Sequence, residues 1–596
     1  MRKSLLIAVL AALPFVAIAD EADLRAHVEF LASPLLEGRL TGTEGEHIAA
    51  EYLEAQFRAK GLKPLPGHDS YLMPFEFVSG MQDEGSSLSL TSGGETKDFA
   101  KEHMVGMSFS DNGKVTAPLV FAGYGIKTPV SSESPYDSFQ GLDVKGKIAV
   151  VLRYYPEDVK EEKFRQELSR YAGLRFKVMN AREAGAVGVI VITGPNSPNA
   201  GKTVPIGFDT SVAGSQIIAV SADGAFADAL FAGAEKSLKD IQTELDSGNP
   251  HIAGFEIKNK TATITTAIKK DKREGHNVIG YLPATEGVTD KFVLVGAHYD
   301  HLGHGDGGDS LAGEGDAGKI HPGADDNASG VSVVLEMIDA LAKEKRPRNV
   351  AIAFWSGEEL GVIGSQAFVD KAVIDPKKIN AYLNLDMVGY VKDNKLTVQG
   401  IGSAPEWSSI VEKANMRPGF DLSLGRDPYL PTDASVFYGA NIPVLNLFTG
   451  AHENYHKPSD TAEKLNYEGM DRIAQLGTNI TRSLMIAAEG PTYAVVERTK
   501  QEGPSHGGSR IYTGTIPDYT AEVEGLKLSG VMKDGPAARA GLEKGDVIVE
   551  LGGRKVANIY DYMYAMEGMK VGEKTTVVII RNGGKLTKEI TPEARK

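Results

Sequence analysis

Beyond residue 276 the chain alternates short runs of consecutive apolar residues with stretches whose apolar positions recur every three or four residues. Unbroken apolar runs of this length predict strands covered on both faces, and their alternation with helical stretches predicts βαβ units in a mainly parallel, α/β sheet flanked by helices. The expected strands are 292–296, 350–355, 381–385 and 442–448, and the expected helices 331–343, 365–371, 404–413 and 470–488. Nearer the start, Leu24, Val28, Leu31 and then Ile48, Tyr52, Leu53 and Phe57 fall at helical spacing around a glycine-bearing turn. From 112 to 250 the texture changes to short β runs ("APLVFAGYGI", "GKIAVVLRYY") and a helix leading into "NAREAGAVGVIVITGP", an α/β unit of its own. The polar, Gly- and Pro-bearing stretch 491–507 reads as a linker, and 508–596 as a small β-rich unit with turns at Gly552-Gly553 and Asn582-Gly583.

Charge and composition narrow the function. The 596 residues carry 64 Lys and Arg against 79 Asp and Glu, a net charge of −15 that argues against a nucleic-acid partner. Arg2 and Lys3 precede an apolar run that closes on Ala17-Ile18-Ala19, which predicts a Sec-type signal over 1–19 and an exported protein. That run is short for a membrane anchor, and no later stretch is long and apolar enough to span a bilayer. There is no cysteine, so disulfides, thiolate nucleophiles and sulfur-held metals are excluded and any metal must rest on His and carboxylates. An exported chain without disulfides fits a bacterial periplasm or the medium.

In an open parallel sheet, ligands bind beyond the carboxyl ends of the strands. Each expected strand carries polar residues there: His298, Asp300 and His301 after the first, Glu358 and Glu359 after the second, Asp386 after the third, and His452, Tyr455 and His456 after the fourth. Asp325, Asp326 and Asn327 precede the first long helix between them. Any one of these has an ordinary reading, since paired acids before a helix serve as caps and a single His after a strand is commonly a surface residue. Their convergence on one rim favours a site. His298, Asp326, Glu359, Asp386 and His456 are the ligand types that hold zinc without sulfur, and a carboxylate can bridge two ions where an imidazole cannot. One acid must stay off the metals to accept a proton, and Glu358-Glu359 offers one residue for each task. Asp300 is placed to orient His298 from behind. The literal His-Glu-x-x-His at His452 to His456 would need a helix, yet Gly450 precedes it and Pro458 follows, so it reads as a chance match.

"GAHYDHLG", "GADDNASG", "WSGEELGVIGS", "LNLDMVG" and "YHKPSDT", in this order and spacing, resemble the dizinc aminopeptidases of metallopeptidase family 28, and the N-terminal "FLASPLLEGRLTGTEGEHIAAEYLEAQFRAKGLKP" extends the likeness. The resemblance implies two zinc ions, one on His298 and Asp386, the other on Glu359 and His456, bridged by Asp326; Glu358 as general base; Tyr455 as donor to the developing oxyanion; and a cis peptide at Asp326-Asn327. It implies an exopeptidase acting on peptides or proteins with a free N-terminus. Ala434 after Asp433 departs from the Asp-His of many relatives. The inserted segment resembles a protease-associated domain, either a lid or a packing domain. The last unit resembles a bacterial PDZ domain, whose peptide groove would lie along Thr513, Gly514, Thr515 and Ile516 against a helix near 560–566. The expected domains are therefore a signal at 1–19, a discontinuous zinc peptidase at 20–111 and 251–490, a protease-associated insert at 112–250, a linker at 491–507 and a PDZ domain at 508–596. Two other readings stay open: a glutamate-carboxypeptidase-like exopeptidase, and a metal-free binding scaffold on the same fold.

Overall fold

The computed structural model describes residues 20–128, 135–206, 214–249, 254–287, 289–305, 310–496, 511–517, 523–532, 534–557, 559–567 and 569–594. The expected signal, 1–19, and most of the expected linker lie outside the described residues. Two compact units emerge, one from residues up to Phe77 together with Arg273–Arg498, the other from Val78–Lys272 together with the chain from Thr499 onward.

The first unit is built on an eight-stranded mixed sheet. Its strands are β1 (Leu72–Asp83), β2 (Ile268–Leu282), β3 (Phe292–His298), β4 (Asn349–Trp355), β5 (Ile379–Leu385), β6 (Lys395–Gln399), β7 (Asp421–Leu424) and β8 (Val444–Phe448), in the spatial order β1-β2-β4-β3-β5-β8-β6-β7. The central strands β4, β3, β5 and β8 run parallel, whereas β2 and β6 pair antiparallel to their inner neighbours. Each of the central strands is apolar along its length because both faces are covered. Val293, Val295 and Ala297 of β3 face a core shared with helices α1 (Glu21–Leu31), α2 (Glu44–Ala59), α3 (Gly330–Ala342), α5 (Trp407–Ala414) and α7 (Tyr467–Ile486). Phe292 and Leu294 face a second core with Trp355, Phe368, Tyr382 and Phe437, against α4 (Ile363–Asp370) and α6 (Asp433–Gly439). The strands and helices expected from the sequence are present, with ends displaced by a few residues.

The second unit holds another eight-stranded sheet and a small six-stranded one. The larger sheet is wider than the 112–250 segment. Ser87–Ser92 pairs antiparallel with the 260–265 stretch of Phe255–Thr266, and Phe255–Thr266 pairs in turn with Gly113–Phe121, so chain on both sides of the segment enters one sheet. On the helix Leu174–Glu183, Lys177 is fully buried, and its side-chain nitrogen donates to the carbonyls of Tyr124 and Leu152, each at 2.7 Å, and of Tyr154. The small sheet places Thr515–Pro517 at its edge, paired antiparallel with Leu526–Val531. No helix among the described residues is long and apolar enough to cross a membrane.

Candidate metal centre

Because β3, β4, β5 and β8 are parallel, their carboxyl ends share a rim, and the residues that follow them meet there. His298 is the last residue of β3, Glu358 and Glu359 follow β4, Asp386 follows β5 directly, and His456 lies in the loop after β8. Asp326 enters from a wide turn, Ala324–Ser329, that leads into α3; its φ of −103° and ψ of 96° break the helical path, and the peptide to Asn327 is cis. The Asp460 carboxylate accepts the backbone N–H groups of Asp325 and Asp326 at 2.9 and 3.1 Å, fixing this turn.

The ligand atoms are spaced as a metal would require. His298 Nε2 lies 3.2 Å from Asp326 Oδ1 and 3.4 Å from Asp386 Oδ1. His456 Nε2 lies 3.2 Å from Asp326 Oδ2 and 3.2 Å from Glu359 Oε2. Ligands about 2.0–2.2 Å from a tetrahedral zinc stand roughly 3.3 Å from one another, so both groups fit the ion, and Asp326 lends one oxygen to each. A third imidazole joins the same cluster: His301 Nδ1 is 2.6 Å from Glu359 Oε1 and 3.9 Å from Asp326 Oδ2.

Charge is crowded here. Burial opposes ionisation of Asp326, but His298 and His456 beside it hold its carboxyl well below the usual range. Burial and the neighbouring Asp326 push Glu359 up, and His301 and His456 outweigh them, leaving it lowered. Glu358 goes the other way: burial, then the Asp386, Asp433 and Glu359 carboxylates, push it well up despite His298. Burial also raises the Tyr455 phenol, with Asp326 and Glu359 adding to the effect, so it remains a protonated donor. Tyr455 stacks on the His456 ring at 3.8 Å. Asp300 lies behind His298: its backbone carbonyl is 3.2 Å from Nδ1 and its Oδ1 3.6 Å, while the carboxylate accepts Thr41 Oγ1–H at 3.0 Å and Glu358 N–H at 3.2 Å.

His452 stands apart from the two groups. It occupies a non-helical turn, stacks on Tyr390 at 3.7 Å and places Nε2 3.0 Å from Asp325 Oδ2. Two residues of the centre carry tasks that the sequence does not state. His301 was visible beside His298, but nothing in the spacing said which group it would meet. Arg39, fully buried, donates to the carbonyls of Tyr299 and Pro322 at 2.7 Å, of Gly323 at 3.0 Å and of Leu31, tying the loop after β3 to the turn that carries Asp326. A lone arginine in a glycine-bearing turn has no sequence signature for that task. Away from this centre, the Thr513 and Thr515 hydroxyls meet the buried Tyr562 hydroxyl at 2.6 and 2.8 Å; Gly514, between them, has φ +73°, and Ile516 pairs with Gly530.

A mixed sheet whose parallel central strands are covered by helices on both faces gathers imidazoles and carboxylates at its carboxyl rim, the donor set of a sulfur-free metal site. Residues 277–481 match Peptidase family M28, 115–230 the PA domain and 503–591 the PDZ domain, and the chain carries all of these domains. An aminopeptidase of Pseudomonas aeruginosa is 26% identical over 434 residues, covering 71% of this chain and 69% of that protein. Aminopeptidase YwaD of Bacillus subtilis is 27% identical over 409 residues, covering 66% and 71%. The solved aminopeptidase from Aneurinibacillus sp. strain AM-1 is 25% identical with a TM-score of 0.46, over 81% of this chain and 97% of that one.

Proposed function

We propose that this chain is an exported zinc aminopeptidase that binds two zinc ions, one on His298, Asp386 and Asp326, the other on His456, Glu359 and the same Asp326, and removes N-terminal residues from peptides. The observation that carries the reading is the pair of ligand groups sharing Asp326, with contacts of 3.2 to 3.4 Å. Zinc, when bound, supplies Lewis-acid polarisation of a carbonyl and eases ionisation of water. The protein's own groups do the rest. Glu358, the carboxylate placed off both ligand groups, takes the proton of the attacking water and hands it to the leaving amine. The Tyr455 hydroxyl donates to the oxygen on which negative charge develops. Asp300, through its carbonyl and carboxylate at Nδ1, keeps Nε2 of His298 turned to the metal side. Carboxylates around the centre offer acceptors for the substrate's free ammonium, and that requirement makes the enzyme an exopeptidase.

Three further assignments belong to this reading. The first 19 residues act as a Sec-type signal, and the enzyme works in the periplasm or the medium. The domains follow the order peptidase, inserted PA domain, peptidase, linker and PDZ domain. The PDZ domain takes an extended peptide along Thr513–Ile516, at the edge of the small sheet.

The deciding experiment compares a short peptide with its N-acetylated copy, using purified protein in zinc-containing buffer. Release of the first residue from the free peptide alone is expected. Equal cleavage of both would shift the reaction to the carboxypeptidase reading, and cleavage of neither, with no zinc retained, would leave a binding scaffold.

A further inference from the structure

We propose that His301 positions Glu359 for the second zinc: its Nδ1–H holds one carboxylate oxygen so that the other faces His456 and Asp326. This rests on the two-zinc reading above. The distances separate positioning from ligation. Two ligands of one tetrahedral zinc stand roughly 3.3 Å apart, as His456 does from Glu359 Oε2 at 3.2 Å, whereas His301 Nδ1 sits 2.6 Å from Glu359 Oε1, at hydrogen-bond distance. His301 is also farther from Asp326 Oδ2, 3.9 Å against 3.2 Å for His456. An ionised carboxylate only accepts, so the imidazole is the donor in this bond.

The ring is locked where it stands. It is fully buried, and a Cβ on Gly323 would come within 2.6 Å of its Cγ and Cδ2, so the glycine, at φ +60°, leaves a slot of just the ring's width. The His301 backbone N–H donates to the Arg39 carbonyl at 3.2 Å, and Arg39 itself donates to the Gly323 carbonyl on the far wall of the slot. The His321 ring lies 6.5 Å away and is itself fixed, with Nε2 2.8 Å from Ser310 Oγ and Nδ1 3.0 Å from the Lys319 carbonyl. Among the described residues His301 Nε2 has no hydrogen-bond partner, so the bond to Glu359 is the polar task of this buried side chain. Glu359 has a long side chain whose free rotation a metal would otherwise have to arrest, and a partner behind a ligand commonly sets 10- to 100-fold in metal affinity. The first group is oriented separately, by Asp300 behind His298, so the effect of His301 belongs to the second ion.

The test titrates metal-free wild type, His301→Leu and His301→Asn with zinc against a chromophoric chelator, and follows the same titrations with cobalt(II) by absorption. Wild type should take up two ions. His301→Leu should keep one affinity and lose roughly 10- to 100-fold in the other, while His301→Asn, whose amide nitrogen is bonded to Cγ as Nδ1 is and can donate to Glu359 in its place, recovers most of the loss. Unchanged binding in His301→Leu overturns the proposal. So does an equal loss in Leu and Asn, which would make His301 a ligand. Should His301→Leu not fold, His301→Phe, a ring of similar width with no donor, takes its place with the same expectation and the same overturning results. A wild type that binds fewer than two ions defeats the two-zinc reading itself, a result distinct from either.

Discussion

Glu358 and Glu359 are neighbours in sequence with opposite environments. Glu359 lies between two imidazoles that keep it charged, while burial and surrounding carboxylates favour a proton on Glu358. One therefore suits a cation and the other suits proton traffic. Replacing Glu358 with Ala should leave zinc content intact and lower turnover by roughly 10² to 10⁴; a near wild-type rate, measured on protein of verified zinc content, would remove it from the role of base. Asp326 contacts both groups, so Asp326→Ala should scramble both ions, whereas His452→Ala, which touches Asp325 and Tyr390 instead, should retain them. Metal analysis of the two variants separates these outcomes, and loss of zinc in His452→Ala would revive the His-Glu-x-x-His motif. At this scale the sequence was informative where chemistry demands a residue type at a strand end, as at His298 or Asp386. It was silent where the role is set by orientation: nothing in "HYDHLG" states that the second His turns Nδ1 onto a glutamate 58 residues later.

Elements built from unbroken apolar runs were legible because burial on both faces leaves no room for polar residues, as in β3 and β4. Phe255–Thr266 was not, since its Lys, Asn and Thr positions alternate with few large apolar ones and it is recognisable only through the strands it pairs with. Helix contacts were equally hidden. Glu336 of α3 is buried against α1 and the end of α2, with His27 Nε2 at 3.4 Å and Lys60 Nζ at 3.2 Å; Lys60 also reaches Asp339 at 2.7 Å. Burial works against its charge, but the His27 and Lys60 partners leave the Glu336 carboxyl lowered. Its folded pKa lies below its unfolded one, so the unfolded chain binds the extra proton and stability rises with pH through that window. The contribution is therefore complete above the unfolded value, about 4.3, and fades as pH falls through the folded value. Glu336→Gln should cost roughly 1 to 3 kcal/mol at pH 7 and much less near pH 3. Denaturant unfolding at the two pH values checks it, and an equal cost at both would show that packing rather than charge holds these helices.

On the scale of the whole molecule, the two compact units answer to different stabilising centres. The first gathers Asp326, Glu358, Glu359 and Asp386 at one rim, where their mutual repulsion is relieved by cations. Zinc that binds the folded unit and not the unfolded chain adds about 2.7 kcal/mol per site at a hundredfold excess over Kd. For a unit of this size that corresponds to a rise of at least about 5 °C in its melting temperature. The second unit has its own buried polar centre in Lys177, whose three carbonyl acceptors would lose their donor in Lys177→Met at a cost of roughly 3 kcal/mol. Calorimetry should therefore resolve two transitions that move independently. Chelation should lower the one belonging to the peptidase unit and spare the other, while Lys177→Met should lower the second and leave zinc content unchanged. Assignment of each transition by limited proteolysis makes the outcome specific. If chelation shifted both transitions equally, metal would be sustaining more than the rim of one sheet, and the confinement of zinc to the ligands after β3, β4, β5 and β8 and in the turn before α3 would be wrong.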